Sequence, residues 1–565
     1  MPKNQDHKLL RSAVCLATSA VASVAAIGAG CADPDEVTEI GSSTLTGELD
    51  VHRSLIITDQ VILEPAFSFK AVMDQIVGTS GSNITAKQLF QQWWSTQNPG
   101  DSKTPRCDDE TSNGVATFNG FPFACPRAEG AQASVDPFTP AIGNPNGYVP
   151  IALTNRFDLA PANGENCGEY RIIFAKNSGI TTATNRNLVI FEAVLPNPNP
   201  GAGLAACRPI AQFWADLSSV ADVNERRQRL QQFYFQGIPG FKPVIFADHF
   251  GGRITAKGHA IARGQIRSNQ FMENPWLLRE WRLMKDSRCG VVKMRMIPTT
   301  VKNNPGGVMY DAHASTDARS VEFRSRFIEE VANLSAAELS GIFYRVDNHF
   351  NAGQSVAQGT ENNYGAQLEL GQELGPSFAN AISQKLVDTG HATLTPKNVA
   401  DRATTQSCAG CHRLSDGADL GEGLSWPGSP LRFVHVTELG GPTEQGPDGP
   451  RWAISAGLRD SFLPHRADVL VGYLEATPVG GAPAGGTPQV LGLLDPILNL
   501  VIRTVAQTGD SELLDLAPLE RVVFIGVPGL LQCLLQGIET TASDLVPIEQ
   551  LDLLGLPTLG GSTVH

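Results

Sequence analysis

The stretch TPKNVADRATTQSCAGCH, residues 395–412, decides how the chain divides. Thr395 is a good N-cap, and Pro396 sits at the first helical position, where its missing N–H costs nothing. The spacing predicts a helix running from there toward Cys408. Cys408, Cys411 and His412 follow, two thiols three positions apart with an imidazole next. Such a trio fits a covalent haem, a redox disulfide or half of a zinc site. Zinc needs a second pair of ligands, and there is no second Cys-x-x-Cys. A thioredoxin-type pair opens a helix after a strand, whereas here a predicted helix precedes the motif and a polar, Gly-rich loop follows it.

Upstream of residue 395 the pattern is different. YVPIALTNRFDL, YRIIFAK and NLVIFEAVLP are β-rich runs bounded by turn residues. FKPVIFADHF, AIARGQIRSNQ, WLLREWRLMKD and GVVKMRMIP also read as strands, and in the last Val292, Met294 and Met296 alternate with Lys293 and Arg295. PIAQFWADLSS and VNERRQRLQQFYFQG read as helices between them. RSVEFRSRFIEEVANL, SAAELSGIFYRVDNHF (with Ser335 as N-cap) and SFANAISQKLVD read as later helices, and 352–372 as loop. The expected organisation is multidomain. Residues 32–148 are a helical, loop-rich N-terminal region, with helices in PAFSFKAVMDQIVG and TAKQLFQQWWSTQ. Residues 149–394 are an α+β body around a largely antiparallel sheet, 395–475 a mainly α-helical domain, and 476–565 a linker and weakly structured apolar tail.

Length and charge narrow the function. A chain of 565 residues exceeds one core, and a net charge of −14 with no basic stretch argues against a nucleic-acid partner. The first 31 residues carry Lys3, Lys8 and Arg11, then an uncharged alanine-rich run that ends in GAGC. This resembles a bacterial lipoprotein signal with Cys31 as the lipidated residue, although Gly28 stands where that pattern usually has leucine. The expected location is therefore periplasmic, or at the outer membrane or cell surface through a lipid anchor at Cys31. In an oxidising compartment cysteines pair. Cys107 with Cys125, in a Gly/Pro-rich stretch, is the first expected bridge, and Cys167 with Cys207 the second. Cys289 and Cys533 have no evident partner.

Residues 395–475 resemble a c-type cytochrome domain. A capped helix leads into CAGCH, a Gly-rich loop with prolines follows, and RADVLVGYLEA closes the unit as a helix. The resemblance implies covalent haem c on Cys408 and Cys411, with His412 as the iron's proximal ligand. It implies that the other nitrogen of His412 donates to a backbone carbonyl near Pro427 or Pro430, and that Trp426 packs on the haem or donates to a propionate. The family usually supplies a methionine downstream as sixth ligand, but the last methionine here is Met309. His435 and His465 are the replacements in the domain itself, and an open position is the third possibility. The expected function is electron transfer through a single haem, with a redox partner protein. The rival is a non-enzymatic surface or binding lipoprotein in which CAGCH is a closed disulfide. Asp248 with His249 and Asp347 with His349 are minor acid/base candidates, and Arg156 with Asp158 reads as a structural pair at a sheet edge.

Overall fold

The structure is a computed structural model. It describes residues 49–100, 105–139, 144–251, 253–254, 260–261, 264–288, 291–311, 318–372, 377–428 and 435–476. The expected signal with Cys15 and Cys31, residues 32–48, Cys289, Pro430 and the expected tail with Cys533 lie outside them. The chain divides into two units, residues 1–285 with 294–481 and residues 286–293 with 482–565.

The first unit is centred on an antiparallel sheet. In spatial order the sheet contains β1 (Ile56–Ile57), β2 (Tyr148–Arg156), β3 (Asn166–Lys176), β4 (Asn187–Pro196), β5 (Gln265–Gln270), β6 (Leu277–Arg288) and β7 (Val291–Thr299). A short strand, β8 (Ser355–Val356), also pairs with β6. Neighbours in sequence are neighbours in space from β2 to β7, as expected when successive β runs are joined by turns or short helices.

The register makes the two faces chemically different. Leu153, Ile172, Phe191, Ile266 and Trp281 lie side by side across five strands, and all are fully buried. This face packs on two helices, α1 (Phe69–Ser80) and α2 (Ala86–Ser95). Phe69 meets Phe174 edge-on at 5.2 Å between ring centroids, and Trp93 meets Trp281 at 5.8 Å. Burying each such side chain is worth roughly 1.5–3 kcal/mol. The next residue on each strand points the other way, and there the row reads Thr154, Arg171, Glu192, Gln265. The row beside it reads Ile173, Ile190, Arg267, Glu280.

That polar face is roofed by the C-terminal segment. The helix α3 (Pro396–Gln406) starts with a capping box: the Asn398 N–H donates to Thr395 Oγ1 at 3.1 Å, and the Thr395 N–H donates to Asn398 Oδ1 at 3.0 Å. Arg402, fully buried, then donates to the carbonyls of Leu334, Ala336 and Leu420 at 2.8–3.0 Å. The closing helix α4 (Leu463–Glu475) sets Tyr473 against Phe157, 4.7 Å between centroids. Residues from the roof and from the sheet belong to one continuous core.

Both expected bridges are formed, Cys107 to Cys125 and Cys167 to Cys207. The alternation in GVVKMRMIP also holds, with Met294 and Met296 buried and Lys293 and Arg295 exposed. Three local expectations fail. FKPVIFADHF is a turn and a short 3₁₀ segment, because the Val244 and Ile245 N–H groups bond the carbonyls of Phe233 and Tyr234 instead of a strand. Ser335 ends the helix Arg319–Leu334 rather than starting another, and its hydroxyl donates to the Val331 carbonyl at 2.7 Å. Within 352–372, Tyr364–Gln372 is helical, and the Ala366 N–H donates to the Asn363 side chain. No helix among the described residues is long and apolar enough to cross a membrane.

Candidate functional site

The CAGCH turn is built by local capping. Ser407 leaves α3 in extended geometry, its hydroxyl donates to the Thr404 carbonyl at 2.9 Å, and it accepts from the Gly410 N–H at 3.0 Å. A second turn thus starts at once. The Ala409 N–H donates to Ser355 Oγ at 2.9 Å, which ties this turn to β8 at the sheet edge. Residues Gly410–Leu414 then widen into a π-type turn, with the Ser415 N–H reaching the Gly410 carbonyl at 3.1 Å. Such turns often mark functional positions because they redirect one side chain. Gly410 is required by contact: a Cβ there would stand 1.7 Å from the Thr404 carbonyl oxygen.

Cys408, Cys411, His412 and His435 all line one cavity between the roof and the polar face of the sheet. Its volume is about 150 Å³. Cys408 is buried and Cys411 half-buried. The His412 ring lies flat on Trp276, centroids 4.0 Å apart and planes 12° from parallel, with Phe271 at 6.1 Å. Burial first, then the charges of His435, Arg186 and Arg413, hold the His412 pKa well below its usual value. The imidazole is therefore neutral, the form that ligates a metal. Across the cavity, the His435 ring centroid is 6.2 Å from that of His412. His435 is held by two hydrogen bonds with Ser455, its N–H to Ser455 Oγ at 3.1 Å and the Ser455 N–H to its carbonyl at 2.9 Å.

The floor is charged. Arg156 binds Asp158 through two nitrogens, at 3.0 and 2.8 Å, and Arg466 stands 3.8 Å from the same carboxylate. Burial pushes the Asp158 pKa upward, but Arg156 and Arg466 outweigh it and hold it below the usual range. Burial, and next Arg156, bring Arg466 down to about 9. The trio keeps one net positive charge in the cavity wall. Beside it, Arg267 bonds Glu280 at 2.7 Å and Glu192 at 3.2 Å, while Arg171 pairs with Glu192 at 3.3 Å and with Glu169.

Of the five residues singled out in the sequence, four meet in this cavity. His465 instead lines a separate space with Leu339, Leu424 and Phe462. Trp426 is buried against Phe462, 5.3 Å between centroids, and is not in the cavity wall. Asp248 pairs with Lys285 at 2.6 Å and Asp347 with Arg326. His249 approaches the Val244 carbonyl at 3.2 Å, and His349 approaches Glu322 at 3.5 Å. Trp276, Phe271 and the floor beyond Arg156 and Asp158 could not be picked out from the sequence. A lone charge within an alternating strand, such as Arg171 or Glu192, normally faces water, and only the roof reverses that meaning.

A haem's macrocycle supplies four nitrogens, so one or two donors from the protein would complete the coordination of its iron. Among the described residues no group of three or more His, Cys, Asp or Glu is arranged to hold a bare metal ion. Two imidazoles on opposite sides of one metal, each nitrogen about 2 Å from it, have centroids roughly 6 Å apart. The His412–His435 pair fits that span, and both thiols share its cavity. No family model, curated protein or solved structure matches the chain.

Proposed function

We propose that the chain is an exported protein that binds one haem c covalently and carries electrons with it. Residues 395–475 act as its cytochrome c-like part, with Cys408 and Cys411 as thioether anchors, His412 as proximal ligand and His435 as the sixth ligand. The observation that carries the reading is the facing of His412 and His435 at 6.2 Å in one cavity with both thiols. When bound, haem supplies a one-electron iron couple, and two histidine ligands give it a lower potential than a His/Met pair.

The remaining roles belong to the chain. Trp276 orients the His412 ring by stacking on it. The net positive Arg156–Asp158–Arg466 trio offers a partner for a haem carboxylate. The apolar wall from Ile173, Ile190 and Leu278 excludes water from the ring face. Two disulfides favour an oxidising compartment, in keeping with the N-terminal signal, a lipid anchor at Cys31 and a redox partner protein.

The test is the visible spectrum of haem-loaded protein carrying His435→Ala or His465→Ala. Low-spin bands are expected in the native protein, with their loss in His435→Ala and their retention in His465→Ala. Low-spin bands that survive in His435→Ala overturn the sixth-ligand assignment. A haem that does not cycle reversibly between its two oxidation states overturns electron transfer.

A further inference from the structure

One arginine stands between the two histidines of the cavity and joins their supports. Between β4 and β5 the rungs on the cavity face are Glu192–Gln265, Ile190–Arg267 and Leu188–Asn269. Side chains return to one face every second residue, so the next pair on that face is Arg186 and Phe271, just past the strand ends. The two do meet: the Arg186 guanidinium lies over the Phe271 ring, 4.1 Å from its centroid. Phe271 in turn meets the rings of Trp276 and His412 edge-on, each at 6.1 Å. Arg186 is thus linked to His412 through one ring.

Its other contact leads to His435. Arg186 Nε donates to Oε1 of Glu438, three residues beyond that histidine. Glu438 is buried, and the Arg186 side chain is 11% exposed. The second carboxylate oxygen, Glu438 Oε2, is buried and takes no hydrogen bond among the described residues. The strand Val436–Thr437 pairs with Ala453–Ile454, and Ser455 holds His435, but those bonds join one part of the roof to another. The segment is tied to the sheet side by the Arg186–Glu438 pair, and by the Gly440 N–H donating to the Ile180 carbonyl at 2.8 Å.

We infer that Arg186 is a positioning residue for the sixth ligand: through Glu438 and Phe271 it fixes the spacing of His435 from His412 and so keeps small external molecules off the iron. This rests on the haem reading. A guanidinium suits both contacts, since its planar face stacks on a ring while its edge binds a carboxylate. Without Arg186, Glu438 is a buried charge that has lost its counter-ion, a costly state. The segment relieves that cost by turning the carboxylate toward water. His435, three residues away, moves with it, and the position opposite His412 opens.

The experiment mixes reduced, haem-loaded protein with carbon monoxide and follows haem absorbance by stopped flow. Binding exchanges one iron–nitrogen bond for one iron–carbon bond, with no electron or proton transferred. In native protein the rate is expected to level off as carbon monoxide rises, because departure of His435 limits it. Arg186→Met keeps an apolar stem and is expected to bind about tenfold faster or more, the scale of a coupling between contacting residues. Arg186→Lys is expected to lie between, since it keeps the ion pair but not the planar stack. Arg186→Met added to His435→Ala is expected to change nothing further, because the arginine acts through that histidine. A native rate in Arg186→Met, or a further gain when His435 is already alanine, overturns the inference. If Arg186→Met holds no haem, Glu438→Gln decides: faster binding is expected, and a native rate overturns the inference. Native protein that binds carbon monoxide as fast as His435→Ala overturns the sixth-ligand reading. Slow native binding that the Arg186 and Glu438 variants leave unchanged overturns only the role of Arg186.

Discussion

His412 sits where three different influences meet: a helical turn that aims it, an indole that it lies on, and a second imidazole opposite. The motif was legible in the sequence because two cysteines and a histidine at that spacing have few uses. His435 was legible as a candidate only because methionine was absent downstream. Trp276 was not legible, since an indole 136 positions away in the chain is joined to His412 by tertiary packing alone. Its role gives a prediction. Trp276→Ala removes a buried ring and is expected to cost about 3–5 kcal/mol of stability. In haem-loaded protein it is also expected to shift the electron-spin resonance of the low-spin iron, because the His412 plane loses its support. Trp276→Phe is expected to restore most of both, as read by thermal melting and by the resonance spectrum. A spectrum unchanged in Trp276→Ala contradicts the positioning role.

Helices with strong end signals could be read directly. Thr395 and Pro396 open α3, and RSVEFRSRFIEEVANL is helical over its full length, because caps and 3.6-residue periodicity are local properties. FKPVIFADHF misled because apolar residues are buried there without strand pairing. Val244 and Ile245 fill the core from a turn held on the preceding helix. Ser335 misled because serine caps either end of a helix, and here its hydroxyl bonds backward to Val331. The CAGCH turn yields a prediction on the same local grounds. A methyl group at Gly410 meets the Thr404 carbonyl, so Gly410→Ala must push the turn away from α3. Overpacking of this kind costs about 1–3 kcal/mol. The expected result is lower thermal stability with reduced haem attachment, measured by melting and by haem-to-protein absorbance. Native stability and full haem content in Gly410→Ala contradict the close approach.

At the scale of the molecule, the antiparallel sheet could be anticipated from its β-rich runs, and so could its two bridges from cysteine position. The use of its second face could not. Arg171, Glu192 and Arg267 look like solvent-facing charges until the chain from 395 to 475 covers them. That cover turns an ordinary half-wet sheet into the floor of a cavity, with the CAGCH thiols above it. Everything proposed for this chain depends on a covalent haem in that cavity. Its presence is read from the intact mass and pyridine haemochrome spectrum of the chain produced with a cytochrome c maturation system. One haem per chain through two thioether bonds is expected, with one thioether bond after Cys408→Ser or Cys411→Ser, and none after both. A native chain that leaves that system with no covalent haem contradicts the proposal.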